Sequence, residues 1–383
     1  MALALPALAS ADTEPSLAQA PPLAVTMPAA DSLRFPLLPV GSEAGPPTRW
    51  FYAGRPYGSE SLTHPLRMIL NGGLGILQFD NRDNHLNSID FHDGWRNVRS
   101  NLANPVRAIE VEGWWAFFQR EVIPISFNTD NAQYWPNYTL HLIGGGMSYT
   151  MMSEWYAYHG YERPHLWGGL TIAAYHLLNE VVENDDYVGP TTDPIADLYL
   201  FDPAGMILFS HEGVNEFFSR KLHLVDWSYQ PAVNIARGTI ENQGQNFSIK
   251  VPVPRTKRLS LFYYFGTHGE GGLTYTKPNG SAFSVAGGFR AKELVNVTDQ
   301  TKSVELVPSF GLFYDREGSL LFSALWSHKS RYKGRVNVYP GLLRRGRFSP
   351  GLFAALGRDN DDVVVGVDLR LADFIPVGVA FGR

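Results

Sequence analysis

The chain has 383 residues, 44% of them hydrophobic, 13% aromatic and 18% charged, enough for one large or two ordinary domains. A net charge of −5 argues against a nucleic-acid partner, and the absence of cysteine excludes disulfides, thiolate catalysis, zinc ribbons and a lipobox. No run reaches the ~18 uncharged apolar residues that a spanning helix needs: the stretch from Leu166 to Leu178 is short and carries His176, and that from Ile195 to Phe209 is broken by Asp197 and Asp202.

Residues Ala2 to Ala11 read as the apolar core and A-x-A site of a secretory signal cut after Ala11. The basic segment that normally precedes such a core is missing, which predicts a true start further upstream. Residues 12–47, rich in Ala, Pro, Ser and Leu without a period, predict a flexible leader.

Residues 48–104 read as a strand and loop segment leading into a sheet. Arg49 to Tyr52 is short and aromatic, and Leu66, Met68 and Leu70 alternate with Arg67 and Asn71, predicting a strand within Leu66 to Phe79. His85, Asp90, His92 and Asp93 fall in a polar stretch whose spacing matches no metal motif, so a solvated loop is expected.

Residues 105–230 predict a helical domain. Ile109, Val111, Trp114, Trp115, Phe117 and Phe118 form a broad apolar face before Pro124. Three helices are expected next, over 137–159, 164–184 and 194–209, the last kinked at Pro203, and helical steps continue through Leu224. Gly144 to Gly146 costs a helix ~2–3 kcal/mol by propensity, and close helix approach is the usual compensation. His176 and Glu180 stand one turn apart, His141 lies one turn before the glycines, and Asp197 enters an apolar run. Ionisable groups in such a bundle point to an acid/base centre of His141, His176, Glu180 and Asp197. A hydrogen-bonded structural network is the competing reading, since no H-E-x-x-H or paired-carboxylate signature is present. No metal and no cofactor is expected.

The order of His141 and its glycines, Glu154-Trp155-Tyr156, Asn179-Glu180, Thr192 to Asp197 and Phe201 to Gly205 resembles the helical unit of YfiM-like envelope lipoproteins and, more distantly, VanZ-like membrane proteins. The resemblance spans residues 137–209 and implies an envelope location rather than a reaction. A lipobox cysteine is lacking here, and a long strand-rich tail is added.

Residues 231–383 predict strands. Leu259, Leu261, Tyr263 and Phe265 share one face, as do Phe283, Val285 and Phe289. Val304 to Tyr314 and Leu320 to Trp326 alternate on either side of an Asp315 to Gly318 turn, and Pro278-Asn279-Gly280 marks another hairpin. The greasy faces oppose faces of Gly, Ala, Ser, Thr, Asp and Arg, the pattern of a membrane barrel. The expectation is an α+β chain: an antiparallel transmembrane β-barrel of about 8–12 strands with a compact helical domain or plug. Asp368 and Arg370 would pair across its lumen. Outer-membrane lipid, and other envelope proteins, are the expected partners, with the helices periplasmic or inside the barrel of a Gram-negative outer membrane. Three functions fit: an envelope protein in structure or in lipid or small-solute handling, a lipid-modifying hydrolase using the helical centre, or a soluble periplasmic protein binding apolar ligands. A chain of the first kind commonly ends on an aromatic residue, and this one ends Phe381-Gly382-Arg383.

Overall fold

The computed structural model describes residues 49–123, 134–185, 189–298, 301–327, 330–345, 348–357, 362–368 and 377–382, so the expected signal and leader lie outside the described residues. The strand expected within Leu66 to Phe79 is instead helix α1 (Pro65–Gly73) and a 3-10 turn (Gly75–Gln78). Pro65 supplies a preset first position and His64 caps it, accepting from the Leu66 amide at 3.1 Å. The polar stretch beyond it is likewise largely helix α2 (Phe91–Ala103), capped by Asp90. The cap accounts for one carboxylate of the His/Asp group there, and His85 pairs with Asp83 at 2.6 Å.

Helices α3 (Pro105–Glu112) and α4 (Trp114–Phe117) follow, broken at Gly113, whose φ of 99° suits glycine. Their apolar face is divided: Ile109 and Phe117 are buried, whereas Val111, Trp114 and Trp115 are exposed. Next come α5 (Tyr134–Pro136), a π-helical stretch (Asn137–Gly145) running straight into α6 (Gly146–Tyr158), and α7 (Pro164–Glu183). The third expected helix is α8 (Asp193–Ile195), a π turn (Ala196–Phe201) and α9 (Asp202–Leu208); Pro203 opens α9 rather than kinking a continuous helix. Helix α10 (Glu212–Glu216) and its π turn end at Lys221. His223 then adopts φ 48°, and the chain turns extended before the expected helical limit at Gln230.

The rest is one 13-stranded sheet in the order β1-β4-β5-β6-β7-β8-β9-β10-β11-β12-β13-β2-β3. Its strands are β1 (Val225–Asp226), β2 (Ala232–Asn234), β3 (Thr239–Glu241), β4 (Asn246–Pro252), β5 (Leu259–Gly266), β6 (His268–Thr276), β7 (Ser281–Thr298), β8 (Thr301–Arg316), β9 (Ser319–Ser327), β10 (Tyr332–Val338), β11 (Gly351–Gly357), β12 (Val363–Asp368) and β13 (Gly378–Gly382). All pairings are antiparallel except β13 with β2. The count exceeds the sequence expectation because β1, β2 and β3 are two or three residues long, too short for a period to show. The turns expected at Pro278 to Gly280 and at Asp315 to Gly318 are present, with Gly280 at φ 78°, and Glu317 and Gly318 at 53° and 84°; His268 to Gly271, which also reads as a turn, is instead the start of β6.

The two faces of the sheet differ sharply. Leu261, Leu273, Phe289, Leu312, Trp326 and Phe381 are each between 45% and 58% exposed on the outer face. The inner face buries Lys250 with Asp315, His268 with Glu270, and Arg290. Lys250 on β4 reaching Asp315 on β8 means the inner face curls around on itself. One expected outer residue differs: a bulge between Tyr314 and Asp315 shifts the register of β9, and Leu320 is buried.

Helices α6, α7 and α9 pack on the outer side of β4 and β5, where Phe247 and Phe265 join the core of Met147, Met151, Trp155, Tyr175 and Phe209. What meets the inner face is the stretch around 57–80. Leu62 joins Trp227, Tyr264 and Phe313, Gln78 O accepts from Arg290 at 2.8 Å, and Arg67 pairs with Asp368. The expected Asp368–Arg370 pair is thus replaced by Asp368 with Arg67, and Arg370 lies outside the described residues.

Candidate functional site

Three helical stretches converge on one buried centre. Gly205 makes the crossing close: a β-carbon there would lie 2.7 Å from the Leu142 carbonyl and 2.9 Å from that of His141. Gly146 faces it in the same way, 2.4 Å from Phe209. Within the glycine-rich run, Gly146 serves backbone approach, the Gly205 carbonyl lying 2.7 Å from where its β-carbon would be, while Gly144 and Gly145 make room for the Phe247 and His176 rings; the approach sets His141 beside the first turn of α9.

There His141 Nδ1 lies 2.9 Å from Asp202 Oδ1, and His176 Nδ1, from α7, lies 2.6 Å from Asp202 Oδ2. On the far side of its ring, His141 Nε2 lies 3.2 Å from Asp197 Oδ2. The two imidazoles sit 4.3 Å apart between centroids. All four side chains are buried, and two of them, His141 and Asp197, come from π-helical stretches, which occur often at functional sites.

An acidic fringe surrounds this centre. Glu121 accepts from Asn137 Nδ2 at 3.1 Å, and Glu112 is held by Arg120 at 2.7 Å and by the Thr192 hydroxyl. Burial, then Asp193, Glu180, Asp202 and Glu121, raise Asp197 well above the ordinary carboxylate range. Burial, Asp193 and Glu112 do the same to Glu121. Burial pulls His176 down to about 4, a shift that Asp202 opposes and His141 reinforces. Burial also pushes Asp202 up, but the two imidazoles outweigh it and hold the group at about 2. Carboxyl groups driven apart in this way divide acid and base roles.

Of the residues singled out from the sequence, His141, His176 and Asp197 are brought together. Glu180 stands one turn beyond His176, fully buried, with Asn184 Nδ2 3.4 Å from its Oε2 and 2.8 Å from its backbone carbonyl. Asp202, which joins both histidines, was not among the candidates. Its spacing from Asp197 carries the signal: five residues close one π turn and return both carboxylates to the same side. Glu154, which is quoted in the family resemblance, lies elsewhere and accepts the amides of Trp50, Phe51 and Tyr52 at 2.5, 2.9 and 2.8 Å.

A second polar group lies on the inner face of the sheet. His268 Nδ1 contacts Glu270 Oε1 at 2.9 Å and Ser309 Oγ at 3.2 Å, while Tyr229 OH meets Nε2 at 3.1 Å. Serine and carboxylate approach the same ring nitrogen, so the histidine does not relay between them as in a hydrolytic triad. The group is a buried polar network.

No family model matches the chain, and neither a curated protein nor a solved structure matches it.

Proposed function

We propose that the chain is an outer-membrane β-barrel protein of a Gram-negative envelope, serving envelope structure or the handling of lipid or small solutes, with its helical unit beside the strands. One observation carries the reading: the sheet exposes its large apolar side chains and buries its ion pairs, the reverse of a protein dissolved in water. Closure of the sheet belongs to the same proposal. The strands at either side of the gap, β4 and β13, both pair with the single stretch 225–234, through β1 and β2. Between those strands, the Trp227 and Tyr229 amides donate to the carbonyls of Asn246 and Gly244 at 2.8 and 3.0 Å, and the Gly378 amide donates to Pro231 at 3.0 Å. The resemblance to YfiM-like and VanZ-like proteins supports an envelope location. Purified protein is expected to need detergent and to migrate faster on gels before boiling than after. A monodisperse chain in plain buffer, with identical mobility in both states, overturns the reading.

The convergence of His141, His176 and Asp202 favours a second reading, a lipid-modifying hydrolase acting at that centre. Comparing the lipid profile of cells carrying the His176→Ala chain with wild type tests it. An unchanged profile with normal folding removes the hydrolase.

A further inference from the structure

The helical centre has the composition of a metal site rather than of a hydrogen-bonded network alone. His141, His176 and Asp202 each offer a donor atom, and these atoms all lie within 4.8 Å of one another. The network reading requires His176 Nδ1 to donate to Asp202 Oδ2. The atoms are 2.6 Å apart, yet neither is part of an aligned hydrogen bond. Two polar atoms that close, buried and misdirected, lack the proton geometry that would make their contact favourable. A cation taking a lone pair from each resolves the conflict.

The surroundings supply the rest. Asp197 is 4% exposed and its Oδ1 has no hydrogen-bond partner among the described residues, while Oδ2 stands behind the distal nitrogen of His141. A carboxylate in that position orients a metal-binding imidazole and raises its basicity. Two imidazoles and a carboxylate select a first-row divalent ion over calcium or magnesium, which prefer all-oxygen shells. Tetrahedral ligands at ~2.0–2.1 Å stand roughly 3.3 Å apart, so binding would spread the present contacts of 2.9 and 2.6 Å by about 0.4 and 0.7 Å.

We propose that His141, His176 and Asp202 bind a divalent transition ion of the zinc type, with Asp197 holding His141 from behind. The proposal is independent of whether the sheet spans a membrane.

The full-length protein, stripped with chelator and shown to be folded by circular dichroism, is titrated with Zn²⁺ against a chromophoric chelator and, separately, with Co²⁺. The expected result is one equivalent of either ion, visible d–d absorbance from Co²⁺, and a higher melting temperature with zinc. His176→Ala should abolish stoichiometric binding, Asp197→Asn should weaken it about 10- to 100-fold, and Glu154→Gln, away from the centre in α6, should leave it unchanged. Should His176→Ala fail to fold, the Co²⁺ spectrum of the wild-type protein still decides. Folded wild-type protein that takes up neither ion at micromolar concentration, or Asp197→Asn that binds as tightly as wild type, overturns the proposal.

Discussion

Lys250 and Asp315 illustrate what the inner face demands of single residues. Both are buried, and Lys250 also sits 4.9 Å above the Trp227 ring. Lys250→Ala should therefore cost about 3–5 kcal/mol, because the carboxylate is left without its counter-charge. Lys250→Met combined with Asp315→Leu should cost far less, since both charges leave together. Urea midpoints of the two variants measure the difference. Asp226, partly buried at the edge of a cavity of about 570 Å³, gives a pH-dependent counterpart. Burial raises it from the ordinary 3.8 to about 6, although Ser228 donates to it from both its hydroxyl and its amide. Between those values the folded chain keeps a proton that the unfolded chain has released. The contribution is full below 3.8 and is lost as the pH climbs through 6, amounting to ~1–2 kcal/mol after allowance for partial exposure. The difference in unfolding free energy between wild type and Asp226→Asn, followed from pH 4 to 7 (a range of about the two values), should contain this step.

At the scale of elements, the crossing of the π stretch and α9 organises the helical unit. Gly205→Ala would set a methyl against two backbone carbonyls, which cannot rotate away as a side chain can, and should cost ~1–3 kcal/mol. Gly213→Ala, in α10 with open space around it, should be neutral or stabilising by up to ~1 kcal/mol. Thermal melts of both separate a packing requirement from a simple propensity effect. The same element shows what the residues could reveal in advance. The glycines announced close approach, and long α7 was legible from its period and from Pro164. The alternation from Leu66 to Leu70 pointed to a strand only because a helical face also passes through those positions; the cap and Pro65 decided between them. Asp202 escaped because an α-helical spacing of three or four was the ruler, whereas the chain uses five. Strand β1 lay within the stretch expected to be helical, and its pairing with β4, like that of β2 with β13, is set by residues far away in sequence.

For the molecule as a whole, the distribution of apolar surface is the feature that needs a solvent. Leu306, Phe310 and Leu312 on β8, with Leu273 and Phe283 nearby, face outward while Val307, Ser309 and Phe313 on the same strand are buried. In water this arrangement forgoes the burial free energy of each large side chain, about 1.5–3 kcal/mol apiece; in hydrocarbon it forgoes nothing. Helices α4 and α7 add Trp114, Trp115, Leu166 and Trp167 to the exposed set, the tryptophans being suited to the boundary between lipid and water. Arginine placed successively at 306, 310 and 312 on β8 distinguishes the two solvents. If hydrocarbon covers the face, folding into lipid vesicles should be penalised by up to ~2–4 kcal/mol at the position nearest the bilayer midplane, falling towards ~0–1 near either interface. If water covers it, each substitution should fall within ~0.5 kcal/mol of wild type with no dependence on position. Arginine at 309 separates the faces themselves: there it replaces a buried serine that contacts Glu270 and His268, so it should destabilise the fold in either solvent. A flat profile along 306, 310 and 312 beside a large loss at 309 would mean that the apolar face meets water, and the barrel proposal would fail with it.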